Sequence, residues 1–580
     1  MFRTTLISAS LLRSLVFGCT AVTTVTLSSA ALVGCADKEQ PEYWIEKLED
    51  GAYRGRAIER LGQMYEAAYS RANKDPEHAE VKAIVNKLVD PLSKVYTEGY
   101  TQLDENTRES VIELLASFRD PRTEPALKRA FAEFGKRGRG GKDVKFASRA
   151  VRDMKLKGVA AEVFAAFKKT KPSTKDGAYY RDLNEALLVV ASKSWGTDLR
   201  AMLEADFPAV KKGDLQSQKD LKDRIYQSVT AAQLAGEIRD SEAVTPLVKI
   251  LLDPKKAPAA NEALLALTKI GKPSLDVAIK LLKNQHKDLA AFHKKRVEKA
   301  GGKAAKNAHV AKAATIIGTI GRKEGIEPLI ATINGTKNDI ERAGMLSALA
   351  MLPHTPAVVS TFKKGLSEMP KDANGPRGSL IQTLCEPATL FFDPSMTSIL
   401  VSKGNELKSN KIALSLITLA AIKTMDARSA PKVKTLVNAL PKSKEAIGKH
   451  MDKVRDAYKR SKTVLDECKQ DTACYAKSAE KNQGDKTQIA GMKALYAIGQ
   501  HGKTADAEKV VAQLDKALEE PTLRYVASQV IDHHYPSGSP EVAKKLDAIV
   551  ARNKRSPDKA KVAGDKPIRD LIYRLRARAQ

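Results

Sequence analysis

"AGEIRDSEAVTPLVKIL", residues 235–251, is echoed by "IGTIGRKEGIEPLIATI", residues 317–333, and that echo decides the fold. Gly236 and Ile238 precede Pro246-Leu247 at the same intervals at which Gly318 and Ile320 precede Pro328-Leu329. A third copy, "ASFRDPRTEPALKRAF" (116–131), has Phe118 in the place of Ile238 and Pro125 approximately in that of Pro246. Weaker copies centre near Met154, Ile270, Leu352, Ile422, Ile498 and Ile531. Several intervals fall between about 32 and 44 residues, the period of helical-hairpin repeats. The longer gaps near 387 and 460 each have room for one degenerate unit.

Each copy reads as an amphipathic helix, a short turn with Gly, Asp or Pro, and a second amphipathic helix. Proline near the start of the second helix loses no hydrogen bond, because the first helical amides have no intrahelical partner. A single hairpin cannot bury its apolar stripe, so stacking must supply the core. The expectation is an all-α protein, an α-solenoid of stacked helical hairpins across residues 42–550. A set of unrelated bundles is the competing arrangement, and it leaves the matched Gly-to-Pro frame unexplained.

The stretch "LEDGAYRGRAIERLGQM" (48–64) carries Asp50, then Arg56-Ala57, then Leu61-Gly62. It resembles the second helix of HEAT repeats, the superhelical repeat also found in bilin lyases. The resemblance implies an acid–arginine ladder between neighbouring units and a small residue where helices pack closely.

With 580 residues and 5% aromatics, the chain suits a long helical array better than a sheet protein. Its formal charge is +29, and the first 34 residues contribute only Arg3 and Arg13 to it. Such a surface attracts nucleic acid, acidic lipid headgroups or acidic polysaccharide, and charge alone does not choose among them. Of the five cysteines, Cys19 and Cys35 lie in the N-terminal apolar region. Three remain, too few for a disulfide-built scaffold.

The N-terminus has the layout of an export signal: Arg3 and Arg13 among apolar residues, then an uncharged run from Ser14 to Gly34. Leu32-Val33-Gly34-Cys35 resembles the lipobox of bacterial lipoproteins. The resemblance implies a signal peptide over 1–34, cleavage before Cys35, acylation of its thiol, and a short tether over 35–41. Two or three acyl chains, at about 0.8 kcal/mol per buried methylene, hold where one is marginal. Ala36 in the next position leans toward outer-membrane sorting, facing the periplasm. Three other readings fit these residues. The uncharged run is about long enough to span a bilayer, Ser28-Ser29-Ala30 suits an ordinary signal peptidase, and Cys19 follows a poorer box.

Three segments interrupt the array. "GKRGRGGKDVK" (135–145) reads as a flexible, solvated basic loop, or else as a clasp for phosphates or a polysaccharide. The lengthened unit at 284–309 gathers Lys287, Lys294, Lys295, Arg296, Lys299, Lys303 and Lys306, a candidate basic contact surface, because insertions collect on one face of a solenoid. "LDECKQDTACYAKSAEKN" places Cys468 and Cys474 six apart, with Asp471 or Thr472 as an N-cap. In an oxidising compartment these two are expected to form a disulfide worth about 2 kcal/mol, the alternatives being free thiols or a catalytic pair. Cys385 reads as a small buried apolar residue. The basic tail at 551–580 ends in "KPIRDLIYRLRARAQ", with Ile568, Leu571, Ile572 and Leu575 at helical spacing among Arg569, Arg574, Arg576 and Arg578. It reads as a helix capping the last unit, or else as a membrane-surface or partner-binding helix.

No catalytic motif emerges. The nine histidines include no H-E-x-x-H and no His-Glu dipeptide. His533-His534 falls at a helix end, where a cap or exposed turn is the ordinary role. Gly502-Lys503-Thr504 lacks the glycine that a phosphate loop needs at position 497, which is Ala. No cofactor and no metal site is expected. The functional expectation is a non-catalytic scaffold, anchored outside the cytoplasm, whose concave groove binds a protein segment or an acidic envelope polymer. Nucleic acid is not the expected partner. The alternatives are a HEAT-like enzyme or nucleic-acid binder, and a passive spacer resting on lipopolysaccharide or peptidoglycan.

Overall fold

The computed structural model describes residues 38–580 except 136–140, 174–178, 303–307, 369–377, 443–445, Lys486 and 554–563. The signal segment, Cys35, Lys303, Lys306 and residues 136–140 of the expected basic loop lie outside the described residues, and from Gly141 that stretch is helix rather than loop. Every regular element among the described residues is helical. The chain divides into two compact units, one up to Val95 and one from Tyr96, so the division falls inside the 42–550 span.

The first unit holds α1 (Pro41–Glu46), α2 (Arg54–Arg71) and most of α3 (Ala79–Glu98). In α2, Ala57, Ile58, Leu61, Tyr65 and Ala68 are buried at three-to-four spacing, one apolar stripe of an amphipathic helix. The ladder implied for this stretch is absent at Asp50 and Arg56. Asp50 instead accepts the Ala52 amide at 2.9 Å to shape the turn before α2, and Arg56 lies over the Trp44 ring at 5.9 Å.

The second unit opens with the pairs α4 (Glu105–Phe118) and α5 (Glu124–Glu133), α6 (Gly141–Met154) and α7 (Ala160–Lys169), α8 (Tyr180–Val190) and α9 (Gly196–Glu204). Next come α10 (Leu215–Glu237) with α11 (Val244–Leu252), and α12 (Ala260–Ile270) with α13 (Lys272–Leu282). The extra helix α14 (Lys287–Lys299) follows, then α15 (Ala308–Ile320) with α16 (Ile326–Gly335) and α17 (Asp339–Leu349) with α18 (Pro356–Ser367). Beyond these stand α19 (Gly378–Ala388) with α20 (Ser395–Glu406) and α21 (Lys411–Thr424) with α22 (Ala430–Ala439). The array ends with α23 (Ala446–Cys468), α24 (Thr472–Lys481), α25 (Gln488–His501), α26 (Thr504–Lys516), α27 (Pro521–His534), α28 (Pro540–Asn553) and α29 (Lys566–Arg578).

First helices pack on first helices and second on second: α4 on α6, α6 on α8, α10 on α12, α15 on α17, and likewise α5 on α7, α9 on α11, α18 on α20. This two-layered stacking is that of an α-solenoid. The repeated frame has a local cause. A left-handed residue ends the first helix in several units (Arg119, Lys155, Arg239 and Gly321, φ 53° to 76°). Asp120 and Asp240 then accept the amides of Arg122 and Glu242, opening a single 3-10 turn. Pro125, Pro246 and Pro328 sit in the first turn of the helix that follows, where the missing amide is not needed. The frame positions Phe118, Met154, Ile238, Ile270 and Ile320 all mark the ends of first helices.

Glycine sets the closest approach between first helices. A Cβ on Gly236 would lie 2.8 Å from the Cα of Ala266, and one on Gly318 would lie 2.6 Å from the Ala348 carbonyl oxygen. Equivalent residues of consecutive first helices therefore face each other, so these helices run parallel. Ion pairs recur across units at the same step: Lys142–Glu109 at 2.6 Å, Arg149–Asp182 at 2.9 Å, Arg152–Glu185 at 2.7 Å and Lys269–Glu237 at 3.0 Å.

Candidate functional site

The last helix sits where the sequence gives no hint of it. Ile568, Leu571, Ile572 and Leu575 are buried, so the apolar stripe of α29 is not available to a membrane or partner. It covers α28 and α27, as a cap on the last unit should, but it also packs against α12 and α15. The first helices from α12 onward therefore close on themselves through α29 and line the inside of this part of the unit. The open concave groove expected to take a partner is closed off in this part of the array.

Arginines fasten the closure. Asp532, near the end of α27, pairs with Arg574 at 2.8 Å and with Arg578 at 2.9 Å. Arg574 also donates to the Met351 carbonyl at 2.7 Å, and Arg578 to the Gly321 carbonyl at 2.9 Å. Arg322 returns a bond to the Ala577 carbonyl at 2.8 Å. These carbonyls stand at or just beyond the C-terminal ends of helices, where lone pairs lack an intrahelical donor and a cation is favoured. At the other end of α29, the buried pair Arg524–Asp565 holds the N-cap residue, and Arg524 also bonds the Leu514 and Leu518 carbonyls at 2.9 and 2.7 Å.

Between α12, α15, α27 and α29 lies a chamber of about 500 Å³. Leu264, Leu265, Met351, Leu390 and Leu571 form its apolar wall, and Asn261, Tyr525, Gln529, Asp532 and Asp570 supply polar groups. A second chamber of about 250 Å³ shares Met351, Asp532 and Arg574 with it and contains His354 and His533. His354 Nε2 contacts the Ala350 carbonyl at 3.0 Å, which fixes that nitrogen as the donor. Its Nδ1 then accepts from Nδ1 of His533 at 3.1 Å.

Burial, with the charges of His354 and His534, pushes the His533 imidazole down to about 3, and burial lowers His354 as well. Burial alone would raise the Asp532 carboxyl, but Arg574 and Arg578 outweigh it and hold it below the usual range. The cluster thus keeps two neutral imidazoles beside one ionised carboxylate that two guanidiniums occupy. His533 is half-buried against Phe392 rather than forming an exposed turn.

The basic insertion is a surface feature with a fixed underside. Leu289 and His293 of α14 are buried, and His293 Nδ1 bonds the Leu252 carbonyl at 2.6 Å. Lys287, Lys294, Lys295 and Lys299 are exposed. Arg296 departs from the expectation of a free contact residue: it pairs with Asp206 at 2.5 Å and Asp253 at 3.4 Å, and so positions the helix.

Cys468 and Cys474 are joined in a disulfide, their Cα atoms 5.3 Å apart, across the turn between α23 and α24. Asp471 caps α24 by accepting the Ala473 amide at 2.9 Å. Cys385 is free and buried, and burial raises its thiol to about 12. Lys493 is also buried, which lowers its ammonium to about 7; its Nζ caps the end of α21 through the carbonyls of Lys423 (3.0 Å) and Met425. Among the described residues, no group of three or more His, Cys, Asp or Glu is arranged to hold a metal ion. No described helix is long and apolar enough to cross a membrane.

Sequence reasoning did not find the Asp532–Arg574–Arg578 cluster or the His354–His533 pair. The one available signal was the density of arginines on the final helix.

No protein-family profile and no curated protein matches the chain. Among solved structures, UNC-45 from Drosophila melanogaster is similar over 92% of this chain and 87% of its own, at 13% identity and a TM-score of 0.21. The crystal structure of Kap121p is similar over 90% of this chain and 74% of its own, also at 13% identity and a TM-score of 0.21. Likeness this distant carries nothing about function, and the α-solenoid assignment stands on the helix packing itself.

Proposed function

We propose that this chain is a non-catalytic binding scaffold of the bacterial cell envelope, exported and anchored by lipid on Cys35, in the outer membrane facing the periplasm. The anchor rests on Leu32-Val33-Gly34-Cys35 and on the charge change that follows it. The binding role rests on one observation above the others. Helix α14 holds Lys287, Lys294, Lys295 and Lys299 in solvent, while its other face is fastened through His293 and Arg296. A rigid base under four exposed ammonium groups presents positive charge without first ordering the backbone that carries it, which favours binding an acidic partner.

The partner is an acidic protein segment or an acidic envelope polymer, taken on the outside of the array, since closure by α29 leaves two small chambers rather than an open groove inside the part from α12 onward. Mass spectrometry of the mature N-terminus tests the anchor: a diacylglyceryl-modified Cys35 as first residue supports it, and an intact leader or cleavage elsewhere overturns it. Crosslinking in envelope preparations tests the scaffold role. Capture of an acidic partner that is lost with Lys294→Glu, Lys295→Glu and Lys299→Glu supports it. Turnover of a substrate by the purified chain, with no such partner, overturns it.

A further inference from the structure

Because the first helices run parallel, their N-terminal ends share one rim with the C-terminal ends of the second helices. Side-chain bonds trace that rim: Lys256, before α12, reaches the Leu203 carbonyl at the end of α9 at 2.7 Å, and Arg296 reaches Asp206 just beyond it. Among the described residues, the large apolar side chains left exposed are Tyr53 in the first unit and Val210, Leu215, Ile340 and Ile412. The last four all stand on this rim, at 46%, 70%, 56% and 65% exposure.

Folding does not ask for them. Leu215, Ile340 and Ile412 lie just after the N-caps Asp214, Asn338 and Asn410, which already satisfy the first amides of α10, α17 and α21. Lysines stand exposed near each aliphatic in the chain, Lys211 and Lys212 by Val210 and Leu215, Lys337 by Ile340, and Lys408 and Lys411 by Ile412, although Ile340 also lies between Asp339 and Glu341.

We propose that this rim docks on an anionic lipid surface, its aliphatics entering the boundary between headgroups and acyl chains while its lysines meet the headgroup phosphates. The distribution selects the occupant. A protein pocket would gather the aliphatics into one patch, yet they are single residues on separate repeats. A soluble polyanion would use the lysines and have no use for the aliphatics. A flat bilayer meets separated points along one edge at once. The exposed lysines of α14 flank the same edge, because Arg296 ties that helix to Asp206, a few residues before Val210. The inference deepens the envelope reading but does not need the anchor, since the rim acts in a chain without Cys35.

The test uses the chain from residue 36, which keeps every described residue and cannot be lipidated. It is sedimented with vesicles of phosphatidylcholine alone or mixed with phosphatidylglycerol. Binding is expected only with phosphatidylglycerol, weakening as salt is raised. The combined variant Leu215→Ser, Ile340→Ser, Ile412→Ser is expected to bind about tenfold more weakly or worse, with an unchanged melting temperature. An Ile412→Trp variant gives an independent readout, its indole emission shifting to the blue on the anionic vesicles. Absence of vesicle binding, or no blue shift on vesicles that do bind, overturns the proposal. So does a serine variant that binds like the parent, or polyphosphate capturing parent and serine variant alike. None of these outcomes bears on the modification of Cys35, which the mature N-terminus decides separately.

Discussion

Asp532 and Arg578, 46 residues apart in sequence, meet at 2.9 Å where the last helix passes the end of α27. Arg574 shares the same carboxylate at 2.8 Å, and the three side chains are largely buried. The acid thus serves two cations that also cap carbonyls of Gly321 and Met351, more than 200 residues earlier in the chain. One substitution there touches two distant parts of the array.

Asp532→Ala leaves two guanidiniums with an uncompensated charge in a partly dry site. Breaking a buried pair from one side costs about 3 kcal/mol or more. Urea denaturation should show the loss, and hydrogen exchange should show faster opening at 566–578 and around Gly321 and Met351. Loss of protection confined to 566–578 would mean that the arginine caps do not bind the earlier helices.

Stability should fall with acid in a window set by the buried imidazoles. Burial depresses the folded-state values of His354 and His533, the latter to about 3, against an ordinary value near 6.5. Below about pH 6.5 the unfolded chain takes up protons that the folded chain refuses, so stability is full above that value and declines as pH falls toward 3. His533 alone accounts for roughly 2 kcal/mol at pH 5. Asp532, Arg574, Arg578 and His534 face the pair, and burial lowers the His534 imidazole as well, so it adds to the same decline. Melting curves of His533→Phe should show a shallower decline between pH 7 and 5 than the parent.

Two glycines on first helices should respond to alanine with opposite sign. Gly344 in α17 has nothing within 4 Å of an added Cβ, so Gly344→Ala should stabilise by roughly 0.5 to 1 kcal/mol through helix propensity. Gly318 in α15 would place a Cβ 2.6 Å from the Ala348 carbonyl oxygen, so Gly318→Ala should force the helices apart and cost about 1 to 3 kcal/mol. Urea midpoints of the two variants check this directly.

Reducing the Cys468–Cys474 disulfide reopens a short loop, and the chain-entropy estimate for that length is about 2 kcal/mol. Denaturation with and without reductant should differ by about that much, and the Cys468→Ala, Cys474→Ala double variant should be indifferent to reductant.

The repeat was legible because its punctuation is local. A glycine at a close approach, a left-handed residue at a helix end and a proline in the next first turn all answer to backbone geometry within one hairpin. The weaker frame positions near Met154, Ile270 and Ile498 likewise fall at or near the ends of first helices. The short separation of Cys468 and Cys474 kept that pair within local reasoning too. Closure by α29 was not legible. Arg574 and Arg578 bond backbone carbonyls at Met351 and Gly321, and a carbonyl has no sequence signature. His533 looked like a helix-end residue because its partners, His354 and Phe392, are set by closure alone. The rim aliphatics were equally hidden, since an isoleucine counts as core until a structure leaves it in solvent.

The most direct measurement is a pulsed electron-spin distance between labels at Lys272→Cys and Gln580→Cys, in the chain from residue 36. Cys385 is buried and Cys468 is bonded to Cys474, so only the introduced thiols react. Both positions are exposed, and the Gln580 side chain reaches Gly271. Closure predicts one narrow population at short separation. A broad population at long separation would contradict it and leave the last helix as a cap on the final unit alone.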